Sequence, residues 1–221
     1  MLKQSIAIVL SCAFVAAQGA GPERKVEGNV VDSERDPKVR VHLPRSAQYI
    51  GADRWVLYDM ADCELHAFVA ADAGKHVRRL YWVQFEGYLA TKPELQHTYD
   101  SPTHADIGGM DFYVDTWVRG ANEEKRRGSD LEHILALIRN KGFLMPEGMT
   151  YVRLVHLFDA KRKELMIIYA EDIAPTGLTA AELKQSGKRH DRWPVIERAA
   201  RERAEKSIEI EQETHRRAAE D

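Results

Sequence analysis

Regular alternation of apolar and polar residues predicts a β-hairpin over residues 62–89. Apolar side chains occupy the odd positions of 63–69 and most odd positions of 81–89. A period of two is typical of half-buried strands. A three-residue loop over 72–74, with Gly74 in the left-handed conformation, suits such a hairpin. This loop predicts that odd positions face odd positions across the hairpin and even positions face even ones, which places both apolar sets on one side of the sheet.

The even-numbered face of this hairpin is the candidate binding surface. On the predicted register, Glu64 and His66 lie beside Trp82, Gln84 and Glu86. Aromatic rings among a few polar groups are typical of small-ligand surfaces. The alternative is that helices cover this face and its aromatic residues are core. A further strand over residues 110–119 would extend the surface if it is adjacent, and the full candidate set is then Glu64, His66, Trp82, Glu86, Tyr113, Asp115 and Trp117.

Helix and turn patterns complete the predicted fold. Residues 151–173 predict a second hairpin, and the capping-box sequence of residues 129–132 predicts a helix that ends at Gly142. Strong helix formers over 194–221 predict a long C-terminal helix, whose part beyond Ile210 has little to bury. Strands and helices outside strict alternation indicate an α+β fold. We therefore predict a mainly antiparallel sheet built from hairpins, packed with a mid-chain helix and a long C-terminal helix.

The N-terminus has the layout of a secretory signal peptide. Residues 1–17 combine a positive start, an uncharged apolar run and small residues, so cleavage is expected there or after Gly19. The residues before Cys12 loosely resemble a lipobox, which leaves a lipid anchor at this cysteine as an alternative. Residues 18–38 are interpreted as a charged linker or arm, and 39–221 as a single domain. The protein is thus expected to be exported, to the periplasm or the extracellular space.

Composition narrows the classes of partner. The 221 residues carry a net charge of −3, which gives no reason to expect a nucleic-acid partner. No apolar run is long enough for a transmembrane helix. After cleavage Cys63 is the one remaining cysteine, and its place on the apolar strand face predicts a buried, unpaired thiol. The expected partner is a small molecule or a protein.

No catalytic or cofactor motif is present, so the sequence predicts no cofactor. The loop 97–106 is the place where metal ligands are concentrated, with His97, Asp100 and His104 as the alternative ligand set. Their spacing matches no metal signature, and the sequence therefore predicts no metal site.

The predicted function is an exported binding or interaction module. One alternative is a secreted or periplasmic hydrolase that uses a carboxylate pair such as Glu86 and Asp115 as general acid and base. The other is a structural envelope protein that acts through its C-terminal helix.

Overall fold

Eleven strands and three α-helices make up the part of the chain that the computed structural model describes, residues 21–213. The strands are β1 (Lys25–Glu27), β2 (Val30–Ser33), β3 (Val39–His42), β4 (Gln48–Leu57), β5 (Ala61–Ala71), β6 (Val77–Tyr88), β7 (Thr103–Ile107), β8 (Met110–Gly120), β9 (Gly148–Phe158), β10 (Lys163–Asp172) and β11 (Glu209–Gln212). The helices are α1 (Asp130–Asn140), α2 (Ala180–Leu183) and α3 (Trp193–Ser207). The predicted α+β class is confirmed.

Two antiparallel sheets carry these strands. The main sheet has seven strands in the order β4-β5-β6-β10-β9-β8-β7, and the small sheet has four in the order β1-β2-β3-β11. The two predicted hairpins, β5–β6 and β9–β10, lie next to each other in the main sheet because β6 pairs with β10. The strand predicted over 110–119 is β8, at the other side of β9.

The main sheet is covered on both faces. One face packs against the small sheet and α3, with Phe68 and Tyr81 of the sheet in the same core cluster as Ala200 and Ala204 of the helix. We call this the small-sheet face. The other face packs against α1 in a cluster that includes Ile134, and we call it the α1 face.

The register predicted for the first hairpin is wrong. Odd residues of β5 face even residues of β6, as in the pairs of Cys63 with Glu86 and of Glu64 with Phe85. The cause is a β-bulge near the turn, where Arg78 is left without a partner strand residue and the pairing shifts by one. A shift of one residue moves a whole set of side chains to the opposite face.

Two predictions about the candidate surface fail as a result. Glu64 and His66 lie on the small-sheet face, whereas Trp82 and Glu86 lie on the α1 face. The α1 face is not open, because Trp82 is only 3% exposed beneath the helix layer. The alternative, a helix-covered face with aromatic residues in its core, describes the protein correctly.

The ends of the domain also differ from prediction. Residues 25–33 are not a linker, since they form β1 and β2, where Val31 is fully buried. The predicted long C-terminal helix is confirmed as α3, but it stops at Ser207, and the chain continues in extended conformation with Ile208 and, in β11, Ile210 both buried. The predicted signal peptide over 1–17, including Cys12, lies outside the described residues.

The mid-chain helix begins as predicted but without the predicted capping box. Ser129 is the N-cap of α1, yet its hydroxyl oxygen is buried with no hydrogen-bond partner. Glu132 instead accepts a hydrogen bond from the Gly128 amide at 2.6 Å. Among the described residues, no helix is both long and apolar enough to cross a membrane.

Candidate functional site

Strand register brings three chemically active side chains into one row on the α1 face. Glu86 of β6 lies opposite Cys63 of β5 on one side and opposite Glu164 of β10 on the other. Residues directly opposite each other in antiparallel strands point to the same face, with Cβ atoms about 4.5–5.5 Å apart. The two carboxyl groups and the thiol are therefore close neighbours, although they are distant in sequence.

Two further side chains approach this row from the layer above it. Asp130 is the first residue of α1, and His97 lies in the loop between β6 and β7. Each of these side chains offers one atom that could bind a metal ion. These atoms lie within 4.8 Å of one another in the group of Cys63, Glu86 and Asp130, and also in the group of Glu86, His97 and Glu164. We call these five residues the carboxylate–histidine cluster. Glu86 belongs to both groups.

The loop that carries His97 is fastened to the β9–β10 turn. Arg162 donates hydrogen bonds to five backbone carbonyl groups around it, those of Tyr88, Leu89, Lys92, Pro93 and Leu95. The His97 amide donates to the Lys161 carbonyl at 2.8 Å. The Tyr88 ring stacks on the imidazole with a centroid separation of 4.4 Å. His97 is thus placed by the fold itself.

Two residues of the loop contact Glu164. The Tyr99 hydroxyl donates to Glu164 Oε2 at 2.8 Å. His97 Nδ1 lies 3.0 Å from the same oxygen. Glu164 is 2% exposed and His97 is 6% exposed. Both contacts are therefore shielded from bulk water, and polar contacts in such an environment are strong and geometrically restrictive.

Glu86 is held by a short chain of donors. Its Oε2 accepts from the Cys63 thiol, with a sulfur–oxygen distance of 3.3 Å, and from Gln84 Nε2 at 3.1 Å. Gln84 Oε1 in turn accepts from the Trp82 indole at 2.9 Å. These hydrogen bonds hold the carboxylate of Glu86 against the sheet. Glu86 is only half-buried, so the carboxylate remains connected to the protein surface.

Some polar atoms in the cluster have no partner. His97 Nε2 and Asp130 Oδ1 are both buried without a hydrogen bond in the described part of the chain. A buried polar atom that loses its water without gaining a partner is costly, about 1–3 kcal/mol. Such an atom is free to bind a water molecule or an ion that enters the site.

The cluster also lacks the cation that accompanies buried carboxylates elsewhere in this protein. Glu64 is paired with Arg24 at 3.1 Å, and buried Asp172 is paired with Arg78 at 2.5 Å. Within residues 21–213, Glu86, Asp130 and Glu164 form no ion pair with a lysine or arginine. The three carboxyl groups thus lie close together without a directly paired lysine or arginine in this part of the chain, and Arg153, which lies over the Tyr99 ring, acts on Glu164 only through its charge.

Burial shifts the ionisation of the whole cluster. Desolvation, together with the neighbouring carboxylates, raises the pKa of Glu164 to about 8 and that of Glu86 to about 7. Desolvation also raises the pKa of Asp130 and of the Cys63 thiol. It lowers the pKa of His97 to about 4. At neutral pH His97 and Glu164 are therefore both uncharged, and their contact is not an ion pair.

These shifts predict how stability depends on pH in the absence of metal. Between pH 6.5 and 8 the folded protein keeps protons on Glu86 and Glu164 that the unfolded chain has released, so the free energy of unfolding should fall as pH rises. His97 has the opposite sign, but only below its unfolded pKa of 6.5. Tyr99 and Cys63, with raised pKa values, largely stay protonated in this window.

The free energy of unfolding should fall by on the order of 1 kcal/mol per pH unit for each proton that the folded state retains. Urea melts of chelator-treated protein across this window measure it. Glu164→Gln, which keeps the shape without the titration, should flatten the curve. Stability that rises with pH in the wild-type protein would contradict the shifts.

The other predicted ligand-binding residues lie away from the cluster. Tyr113, Asp115 and Trp117 share the α1 face, but β10 and β9 separate β8 from β6. Three strand spacings, about 14 Å, therefore separate Glu86 from Asp115. Asp115 is instead bonded to Arg153 and Ser101. The predicted carboxylate pair is not assembled.

On the small-sheet face, Glu64 and His66 have their own partners. His66 Nε2 lies 2.9 Å from Glu64 Oε1, and its Nδ1 lies 3.3 Å from the Tyr49 hydroxyl. Glu64 also accepts from the amides of Glu23 and Arg24, at 2.9 Å and 2.8 Å. These residues fasten the N-terminal segment to the sheet.

The alternative metal ligands are also divided by the fold. His97 belongs to the cluster, whereas Asp100 is exposed and His104 pairs with Asp111 at 3.0 Å on the surface. The prediction that Cys63 is buried and unpaired is confirmed. Sequence reasoning missed Glu164 and Asp130, because strand register and the docking of α1 place them.

The chain matches no protein-family model, no curated protein and no solved structure. Functional inference therefore depends on the geometry of the cluster.

Proposed function

We propose that this protein is an exported binding module whose ligand is a divalent transition-metal ion held by Glu86, His97 and Glu164. The observation that supports it most strongly is the convergence of these three ligand atoms within 4.8 Å, where the described residues provide no lysine or arginine as an ion-pair partner. The proposal departs from the expectation of no metal, which depended on spacing along the chain alone.

The donor set suits such an ion. Two carboxylates and an imidazole are ligands that zinc and neighbouring first-row metals accept, and three protein ligands leave a coordination position for water or a bound molecule. Without a metal ion, burial keeps the carboxyl groups protonated and so suppresses their negative charge. A bound dication would instead neutralise the charge of the two carboxylates. Metal binding would displace those protons, so affinity should increase with pH.

Residues around the ligands have supporting roles. Tyr99 donates to Glu164 Oε2 and can orient that carboxylate, and Gln84 does the same for Glu86. Arg162 holds the loop that presents His97. Because these contacts already order the ligand side chains, metal binding would lose less free energy to ordering them.

Export is supported by the signal-peptide pattern of residues 1–17. The hydrolase alternative loses its basis, because two strands, β10 and β9, lie between the strands that carry Glu86 and Asp115. The envelope alternative depended on the polar C-terminal end of the chain, most of which lies outside the described residues, whereas the buried residues of α3, Ala200 and Ala204, pack on the main sheet.

The experiment is a competition titration of chelator-treated protein with zinc against a chromophoric chelator at neutral pH. We expect a tight site that includes His97. His97→Gln or Glu164→Gln should weaken it by roughly 100-fold or more, since even outer-shell partners of a metal contribute about 10–100-fold.

His104→Gln is the matched control. It removes an imidazole that also lies 3.0 Å from a carboxylate, but on the surface. Its affinity should equal that of the wild-type protein. Circular dichroism of each variant verifies folding, and either ligand variant suffices if the other fails to fold. Equal affinity of a folded His97→Gln variant and the wild type would refute the proposal.

A further inference from the structure

We infer that the cluster accommodates a second metal ion, bound by Cys63 and Asp130 and bridged to the first ion by Glu86. This inference deepens the proposed function and depends on it. The geometry points to it because Glu86 is the middle member of the row and belongs to both groups of converging ligand atoms.

The position of Glu86 suits a bridge. Its neighbours on either side, Cys63 and Glu164, lie on different strands that both pair with β6. A carboxylate has two oxygens and can bind one ion with each. Ions in two-metal sites are about 3.5–4 Å apart, a distance that one bridging carboxylate spans.

The second group has its own free coordination capacity. Asp130 Oδ1 is buried without a hydrogen-bond partner in the described residues. The Cys63 sulfur lies 3.3 Å from Glu86 Oε2, on the side of Glu86 opposite Glu164. Cys63 is fully buried, which protects its thiol from oxidation, and it forms no disulfide, so its sulfur is free to bind an ion that enters beside Glu86.

Binding at Cys63 requires loss of its proton. The metal ion forms a bond to sulfur, the S–H bond breaks, and the proton leaves to solvent. No oxidant or reductant takes part. Sulfur, carboxylate and shared carboxylate together form a borderline-soft site, so the second ion should be one that accepts thiolate, such as zinc, cobalt or cadmium.

Cobalt(II) is the appropriate probe, because a cobalt–thiolate bond absorbs in the near ultraviolet through charge transfer. We expect chelator-treated protein to bind two equivalents of cobalt and to show this absorption with only one of them. Cys63→Ser should abolish the absorption and leave one equivalent bound. Asp130→Asn should weaken the absorbing equivalent and leave the other unchanged.

The outcomes separate this inference from the proposed function. One equivalent without thiolate absorption, still removed by His97→Gln, would overturn the second ion and leave the first in place. Two equivalents with thiolate absorption that Cys63→Ser removes would support both. Absence of cobalt binding altogether would overturn both. Equilibrium dialysis with elemental analysis gives the stoichiometry independently of the spectrum.

Discussion

Replacing Trp82 by alanine should lower the free energy of unfolding by about 3–5 kcal/mol, as truncation of a large buried aromatic side chain does. Trp82 is 3% exposed in the core beneath α1. Its indole also donates to Gln84 Oε1, and loss of that bond would free the amide that positions Glu86. Denaturant melts of the metal-free protein measure the effect.

Val195→Ala is the control for this substitution. Val195 is 65% exposed on α3, so its truncation should change stability by less than about 0.5 kcal/mol. If Trp82→Ala were as mild as the control, the α1 face would have to be open. The aromatic surface would then be a ligand site and not a core.

Zinc should stabilise the folded protein strongly. At a free concentration one hundred times its dissociation constant, it should raise the free energy of unfolding by about 2.7 kcal/mol, because it binds the folded state preferentially. The effect should grow with pH above 6.5, where the ion replaces protons held on Glu86 and Glu164. Metal-free stability falls over the same window, so the two preparations should diverge.

Glu164→Gln tests the origin of this stabilisation. The variant keeps the side-chain shape but loses the carboxylate, and its melts with and without zinc should nearly coincide. His104→Gln should keep the full zinc effect. Equal stabilisation of wild type and Glu164→Gln would show that the ion binds elsewhere, on surface histidines or carboxylates.

Much of the fold follows from local patterns. Alternation and turn residues predict the strands of the two hairpins, strand β8 and helix α1. Each of these elements has an apolar face that can be recognised from its own sequence. The small sheet is not, because β1 and β2 are short and rich in charge. Their burial depends on the rest of the domain, with Val31 fully enclosed by residues distant in sequence.

The candidate site is less accessible to sequence reasoning. A single bulge, which leaves Arg78 unpaired, reverses the pairing of β5 and β6 and exchanges the neighbours of Glu86. The turn also places Lys75, not Gly74, in the left-handed conformation, with φ of 62°. Neither feature has a local sequence pattern that distinguishes it from a regular hairpin.

The place of Glu164 in the cluster depends on which strand pairs with β10. This residue precedes the apolar run 165–170 and gives no sign by itself that it is buried. Once β10 is known to pair with β6, its position opposite Glu86 follows directly. The cluster is therefore assembled by the strand order and by the docking of α1, which bring three strands, a loop and a helix end to one point.

The most direct test of the metal site is diffraction from zinc-soaked crystals, recorded at the zinc absorption edge. The proposed site predicts an anomalous peak with an imidazole nitrogen of His97 and carboxylate oxygens of Glu86 and Glu164 about 2.0–2.2 Å away. A peak confined to surface groups such as His104, with Glu86 and Glu164 still directly hydrogen-bonded within an intact cluster, would contradict it.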